Sequence, residues 1–227
     1  MLFTYLDGKI AVRSAAVKVS ENNRVYSNGL MARKYELKRR AERQEETRRR
    51  ITEAAVELHG TVGPARASIS AIAEKAGVQR LTVYRHFPDE RALFAACTGH
   101  YLSENPPPDP EPWTGIADPE DRLRAALAEV YGYYRRNEPM MSNSVRDAEA
   151  KPVIYEVLGP FFERWERMRS VLSVGWGTRG GRHDLLLAAV GHALDFAAWR
   201  SLARGQGLDD GRAVEVMVRM VRCVARE

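Results

Sequence analysis

Two cysteines, Cys97 and Cys223, are all that 227 residues contain, and no Cys-x-x-Cys pair occurs. That leaves no disulfide framework and no thiolate metal cluster, and each residue reads as a buried reduced thiol. No apolar run approaches the ~20 residues that cross a bilayer. The opening Met1-Leu2-Phe3-Thr4-Tyr5-Leu6 stops at Asp7, too short for a signal-peptide core. The expectation is a cytoplasmic protein without a membrane partner. A Gly-rich phosphate loop, an HExxH pair and a nucleophile elbow are all missing, so no enzyme and no cofactor is expected. His183-Asp184 and the pair His192 and Asp195 are isolated and weak as metal ligands, and no metal site is assigned. Alternating strand patterns of any weight are missing too, which makes the fold class all-α.

What is present is ordinary for a globular chain in amount and unusual in distribution. Hydrophobic residues make up 44% and charged ones 29%, enough for an ordinary core. The formal net charge is +5, but residues 1–102 hold 18 Lys and Arg against 11 Asp and Glu. Residues 103–227 hold 17 against 19, so only the front of the chain is suited to a polyanion.

Residues 1–30 show no sustained period, and Glu21-Asn22-Asn23 and Ser27-Asn28-Gly29 read as turns. Residues 1–43 are therefore expected to be a basic, partly disordered arm, with Met31 an equally good start of the protein. The run from Ala32 to Arg50 holds nine basic and four acidic residues. It reads either as a solvated helical face or as an arm whose arginines touch phosphates. Ile51, Ala54, Ala55 and Leu58 form a first helical stripe, stopped at Gly60. Ser68 is placed to cap a second helix, in which Ile69, Ile72, Ala73 and Ala76 share a face. Gly77 ends that helix and turns the chain. A third helix then runs over residues 79–86, with Val83 and Phe87 facing back and polar residues facing out. This is a helix-turn-helix, and it closes a segment expected at residues 44–102 with a fourth helix after Pro88.

Five prolines in the ten residues Glu104 to Trp113 predict a mostly extended connector, assigned to residues 103–119. Residues 120–227 return to helical periods. Pro139 is expected to close the first of these helices, and Gly159-Pro160 to kink a later one. Residues 184–203 are apolar almost all round, as is much of 209–224, which suggests two helices that pack against a second copy of the chain, the alternative being core helices buried within one subunit.

The stretch around the turn resembles the DNA-binding domain of the TetR family of bacterial transcriptional regulators. The matching residues are Ala54-Ala55 and Leu58, then Ile72-Ala73-Glu74-Lys75-Ala76-Gly77-Val78, then Thr82-Val83-Tyr84-Arg85-His86-Phe87, and Leu93. The match spans about a fifth of the chain. It implies an N-terminal helix-turn-helix DNA-binding domain followed by a larger helical domain that binds a ligand and dimerises. The implied partners are a double-stranded DNA operator, a small-molecule effector, and a second subunit held through the two C-terminal helices. The function so implied is a ligand-responsive regulator, a repressor, released from a palindromic operator by a small molecule. The alternative is a sequence-tolerant architectural DNA-binding protein without an effector.

By this resemblance Thr82, Tyr84 and His86 would hold backbone phosphates, and Ser68 another. Gln79 and Arg80 can offer bidentate pairings to adenine and guanine edges. Leu81 stands where a small residue is common and suits a thymine methyl, while Arg85 is a further DNA-contact candidate that reads more readily as solvated or ion-paired than as a base reader. Glu90 replaces the usual lysine, and either Arg91 takes over its phosphate contact or that contact is absent. In the back half Tyr131, Tyr134, Phe162, Trp165 and Phe196 either line a pocket or fill the core. Asn143, Arg146, Arg169 and His192 are the candidate polar contacts to a ligand.

Overall fold

A computed structural model of the chain describes residues 22–226, so the expectations for residues 1–21 lie outside it. The chain divides into two units, one ending at Thr47 and one beginning at Arg48. Helix α1 has bounds Asn22–Thr61. In the first unit the turn expected at Ser27-Asn28-Gly29 is helical instead, and residues 33–46 are exposed, with Lys38 and Glu42 paired at 3.8 Å. All that follows concerns the second unit.

Four helical segments build its front part. They are the end of α1, α2 (Ile69–Lys75), α3 (Arg80–His86) and α4 (Glu90–Glu104). Helix α1 runs through Gly60 to Thr61 instead of stopping there. The segments enclose a core of Ile51, Ala54, Ala55, Ile72, Ala73, Ala76, Val83, Phe87, Leu93 and Cys97. These are the apolar stripes of the sequence, one per helix, closed on each other.

A second core lies around α5 (Pro119–Asp147), with α6 (Val153–Val157), α7 (Gly159–Leu172), α8 (Gly181–Ala193), α9 (Phe196–Arg200) and α10 (Asp210–Arg226). Leu123, Leu127, Val130, Tyr131 and Tyr134 of α5 meet Met168, Leu172, Leu186, Val190, Trp199, Val214 and Val218. No strand occurs among the described residues, and the chain is all-α. No single helix is long and apolar enough to cross a membrane.

Four expectations give way to tertiary packing. Helix α5 does not end at Pro139 but passes through it, because its buried face resumes beyond with Asn143 and Asp147. The connector is not extended throughout. Glu111–Gly115 forms a 3-10 turn that buries Trp113, whose Nε1 donates to Glu129 at 3.2 Å. The apolar run from Asp184 breaks after Ala193, where the chain bends by 58°. Asp195 caps the new helix by accepting from the Ala198 N–H at 3.0 Å, which is worth about 1 kcal/mol in typical caps. Cys97 is buried as expected, but Cys223 is exposed on α10.

One buried cation ties the second core together. Arg122 donates from Nε to the Ile116 carbonyl at 2.9 Å, from Nη2 to Ala117 at 3.2 Å, and from Nη1 to Val171 and Val174 at 3.2 and 2.9 Å. A guanidinium at the C-terminal carbonyls of α7 also suits the helix dipole. Arg122→Met strips partners from four carbonyls and should cost about 3 kcal/mol. Urea unfolding reads this directly, and a midpoint equal to that of the unaltered chain would contradict it.

Candidate nucleic-acid interface and effector cavity

The helix-turn-helix is built by caps at each corner. Ser68 has extended backbone and its hydroxyl accepts from the Ala71 N–H at 3.2 Å, which starts α2. At the other end the Gly77 N–H bonds Glu74 and the Val78 N–H bonds Ala73, at 3.0 and 2.9 Å. Gly77 has a φ of +64°, a conformation that costs glycine nothing and side-chain residues more. Arg50 reaches across to donate to the carbonyls of Ala76 and Gly77. Arg48 does the same for α3, donating to the His86 carbonyl at 2.8 Å with its guanidinium 4.3 Å from the Phe87 ring centroid. Both arginines therefore secure helix ends, although the charge run in which they lie read as solvated face or phosphate arm.

Val83 and Phe87 anchor α3 in the core, which leaves its other face outward. Gln79 at the cap, Arg80, Leu81, Tyr84 and Arg85 are exposed, and Thr82 and His86 are half-buried. Leu81 is 67% exposed, and Tyr84 is 42% exposed rather than a core tyrosine. Arg80 donates to the Tyr84 hydroxyl at 3.0 Å, so the two side chains form one polar ridge. Ser68, the cap of α2, is exposed as well. Glu90, in place of the expected lysine, holds Lys151 at 2.5 Å, and Arg91 holds Glu156 at 3.4 Å.

The second unit also holds a cavity of about 290 Å³. Its walls come from His59 of α1, Phe94, Cys97 and Tyr101 of α4, Tyr133, Tyr134, Met140 and Met141 of α5, Ile154 and Tyr155 of α6, and Phe161, Phe162 and Trp165 of α7. Leu194, Asp195 and Phe196 complete them. Phe161 and Trp165 stack with centroids 4.0 Å apart, and Phe196 meets Tyr134 edge-on at 5.4 Å.

Of the pocket candidates, Tyr134, Phe162, Trp165 and Phe196 line this cavity. Tyr131 does not; it is fully buried and donates to the Ala193 carbonyl at 2.9 Å. Asn143 donates to the carbonyls of His59 and Gly60 at 3.1 and 2.8 Å. Arg146 bonds Asp147, Asn143 and the Val62 carbonyl. These two polar side chains dock α5 on the end of α1 and the loop after it. Arg169 pairs with Glu166 at 2.5 Å, and His192 is exposed on α8.

Reasoning from sequence missed Arg48, Arg50, His59, Tyr101, Tyr133, Met140, Met141, Phe161 and Lys151. Phe161 and Tyr133 adjoin named aromatics, so helical spacing was a usable signal for them. For Arg48 and Arg50, with partners 38 and 26 residues away, none existed.

Burial tunes the wall. It lowers the His59 pKa to about 4 and raises those of Cys97 and Tyr101 to about 12. Tyr133 and Tyr134 are also raised by burial. All are thus uncharged near neutral pH.

The comparisons place this geometry. Residues 51–97 match the family of bacterial regulatory proteins described as the tetR family. The helix-turn-helix domain is a TetR-family domain. Solved TetR-type structures share the fold over most of the chain. A TetR-like transcriptional regulator from Rhodococcus sp. RHA1 is 22% identical, with a TM-score of 0.56, over 80% of this chain and 97% of its own. A protein assigned to the TetR-family regulators from Mesorhizobium loti is 18% identical, with a TM-score of 0.55, over 80% and 98%. No curated protein sequence matches this one. The TetR-type head plus a larger helical body is therefore the fold that the sequence led us to expect.

The depressed His59 pKa sets a pH dependence. Between pH 6.5 and about 4 the unfolded chain binds a proton that the folded chain refuses. Stability therefore falls as pH falls through that window, by about 3 kcal/mol in full. Urea midpoints at pH 7 and 4.5 should diverge for the unaltered chain and less for His59→Phe, which keeps the stack on Phe94. Equal divergence in both would contradict the assignment.

Proposed function

We propose that the protein is a ligand-responsive transcriptional repressor that binds a palindromic operator as a homodimer and is released by a small molecule. The observation that carries this is a single helix, α4, shared between the helix-turn-helix and the cavity. Leu93 and Cys97 belong to the core beneath α3, while Phe94, Cys97 and Tyr101 wall the cavity. The first turn of α4 is tied by Glu90 to Lys151 and by Arg91 to Glu156, next to the cavity residues Ile154 and Tyr155. A ligand that binds better when α6 and α4 are displaced shifts the population away from the DNA-competent arrangement.

On this reading Arg80 and Gln79 meet base edges, and Leu81 meets a thymine methyl. Thr82, Tyr84, His86, Ser68 and Arg85 lie along the phosphates. Arg91 joins them when it leaves Glu156. The second copy packs on α8 and α10, where Leu185 and Met220 are 63% and 50% exposed. Two half-sites then fall about one helical turn apart. Such a protein works on chromosomal DNA in the cytoplasm and catalyses nothing.

The test uses a duplex selected by the protein from a randomised pool, beside a scrambled duplex. Arg80→Ala should cost about 1–3 kcal/mol on the selected duplex and little on the scrambled one. Tyr84→Phe should weaken both alike. Gel-shift titrations decide, and selected-duplex affinity unmoved by Arg80→Ala would refute the reading face.

A further inference from the structure

Among the residues that line the cavity, formal charge has one sign, and its bearer, Asp195, is exposed at the rim. No lysine or arginine is among its wall residues, and Asp195 is the one carboxylate there. His59 and Cys97 are neutral at physiological pH, as shown above, and the buried Tyr133 and Tyr134 are too. The polar tips of the rings nearest Asp195 are already engaged. Trp165 Nε1 donates to the Tyr134 hydroxyl at 2.9 Å, and that hydroxyl donates to the Leu194 carbonyl. What these rings leave for a ligand is π surface.

An anion placed here would lose its hydration and gain no cation and few donors, which is costly. A cation would gain an acidic partner and the negative ring faces of Phe161, Trp165 and Phe196. The volume, about 290 Å³, lies at the small end of small-molecule sites and admits one or two rings. We propose that the cavity takes a small aromatic cation, a ring bearing an amine or quaternary ammonium, with its positive centre at Asp195 and its ring among Phe161, Trp165 and Phe196. This rests on reading the cavity as the effector site.

Three probes of one size separate charge from shape: benzyltrimethylammonium, its uncharged isostere neopentylbenzene, and phenylacetate. Calorimetric titration into the full chain should show the cation binding about tenfold or more tighter than the isostere. Phenylacetate should show no saturable binding. Asp195→Asn keeps an equally good cap for α9 and so should fold. It should bring the cation down to the affinity of the isostere and leave the isostere unchanged. Phenylacetate binding as tightly as the cation overturns the proposal, as does a cation that fails to bind or an Asp195→Asn chain that keeps the preference. Each probe is also added to the protein–DNA complex. Selective cation binding without DNA release supports the ligand class and refutes release. DNA release by phenylacetate does the reverse.

Discussion

Helix α4 must satisfy two apolar surroundings at once, and the arrangement of the second unit depends on that. Leu93 faces the small core under α3, Phe94 and Tyr101 line the cavity, and Cys97 belongs to both. Burying a side chain such as Leu93 or Phe94 is worth about 1.5–3 kcal/mol, so α4 cannot leave either side cheaply. Phe94 stacks on His59 with centroids 4.8 Å apart, which locks the end of α1 to the same helix. A shift of α4 therefore has to move the front core with it. Packed interiors respond to such shifts as units, because their contacts leave little slack.

A second, polar joint holds the front part at the end of α1 and the loop that follows it. Asp147 accepts from the Ala65 N–H at 3.0 Å, and Asn143 and Arg146 hold the carbonyls of His59, Gly60 and Val62. Gly63 is what lets them approach. Its φ is +98°, and a Cβ there would lie 2.0 Å from the Arg146 guanidinium. The front part is thus pinned at the α1–α2 loop and tied at α4 through Glu90 and Arg91. Under the proposed function, the pinned loop is the pivot and the ion-paired first turn of α4 is the end that moves.

Local pattern carried much of this and failed where partners are distant. The stripe Ile72, Ala73 and Ala76, the cap at Ser68 and the turn at Gly77 could be read because each contact lies within a few residues. The outward placement of Tyr84 followed from its register against Val83 and Phe87. Pro139 misled, since the cost of one missing backbone bond says nothing of the buried Asn143 and Asp147 beyond it. Asn143 and Arg146 were plausible ligand contacts until the end of α1 and the loop after it, some 84 residues away in sequence, proved to be their partners. Asp195 was noticed only as a weak metal signal. Its meaning came from the bend after Ala193, which a run of apolar residues conceals.

The central claim is that filling the cavity disfavours the DNA-competent arrangement, whatever the ligand. Ser144 lines the cavity from α5 and is not a member of the front core, so Ser144→Trp fills that cavity from within. Affinity of this variant for the selected duplex, measured with its unfolding midpoint, is the direct test. The account predicts a folded protein whose DNA affinity falls about tenfold. Unaltered DNA affinity in a folded Ser144→Trp chain would contradict it.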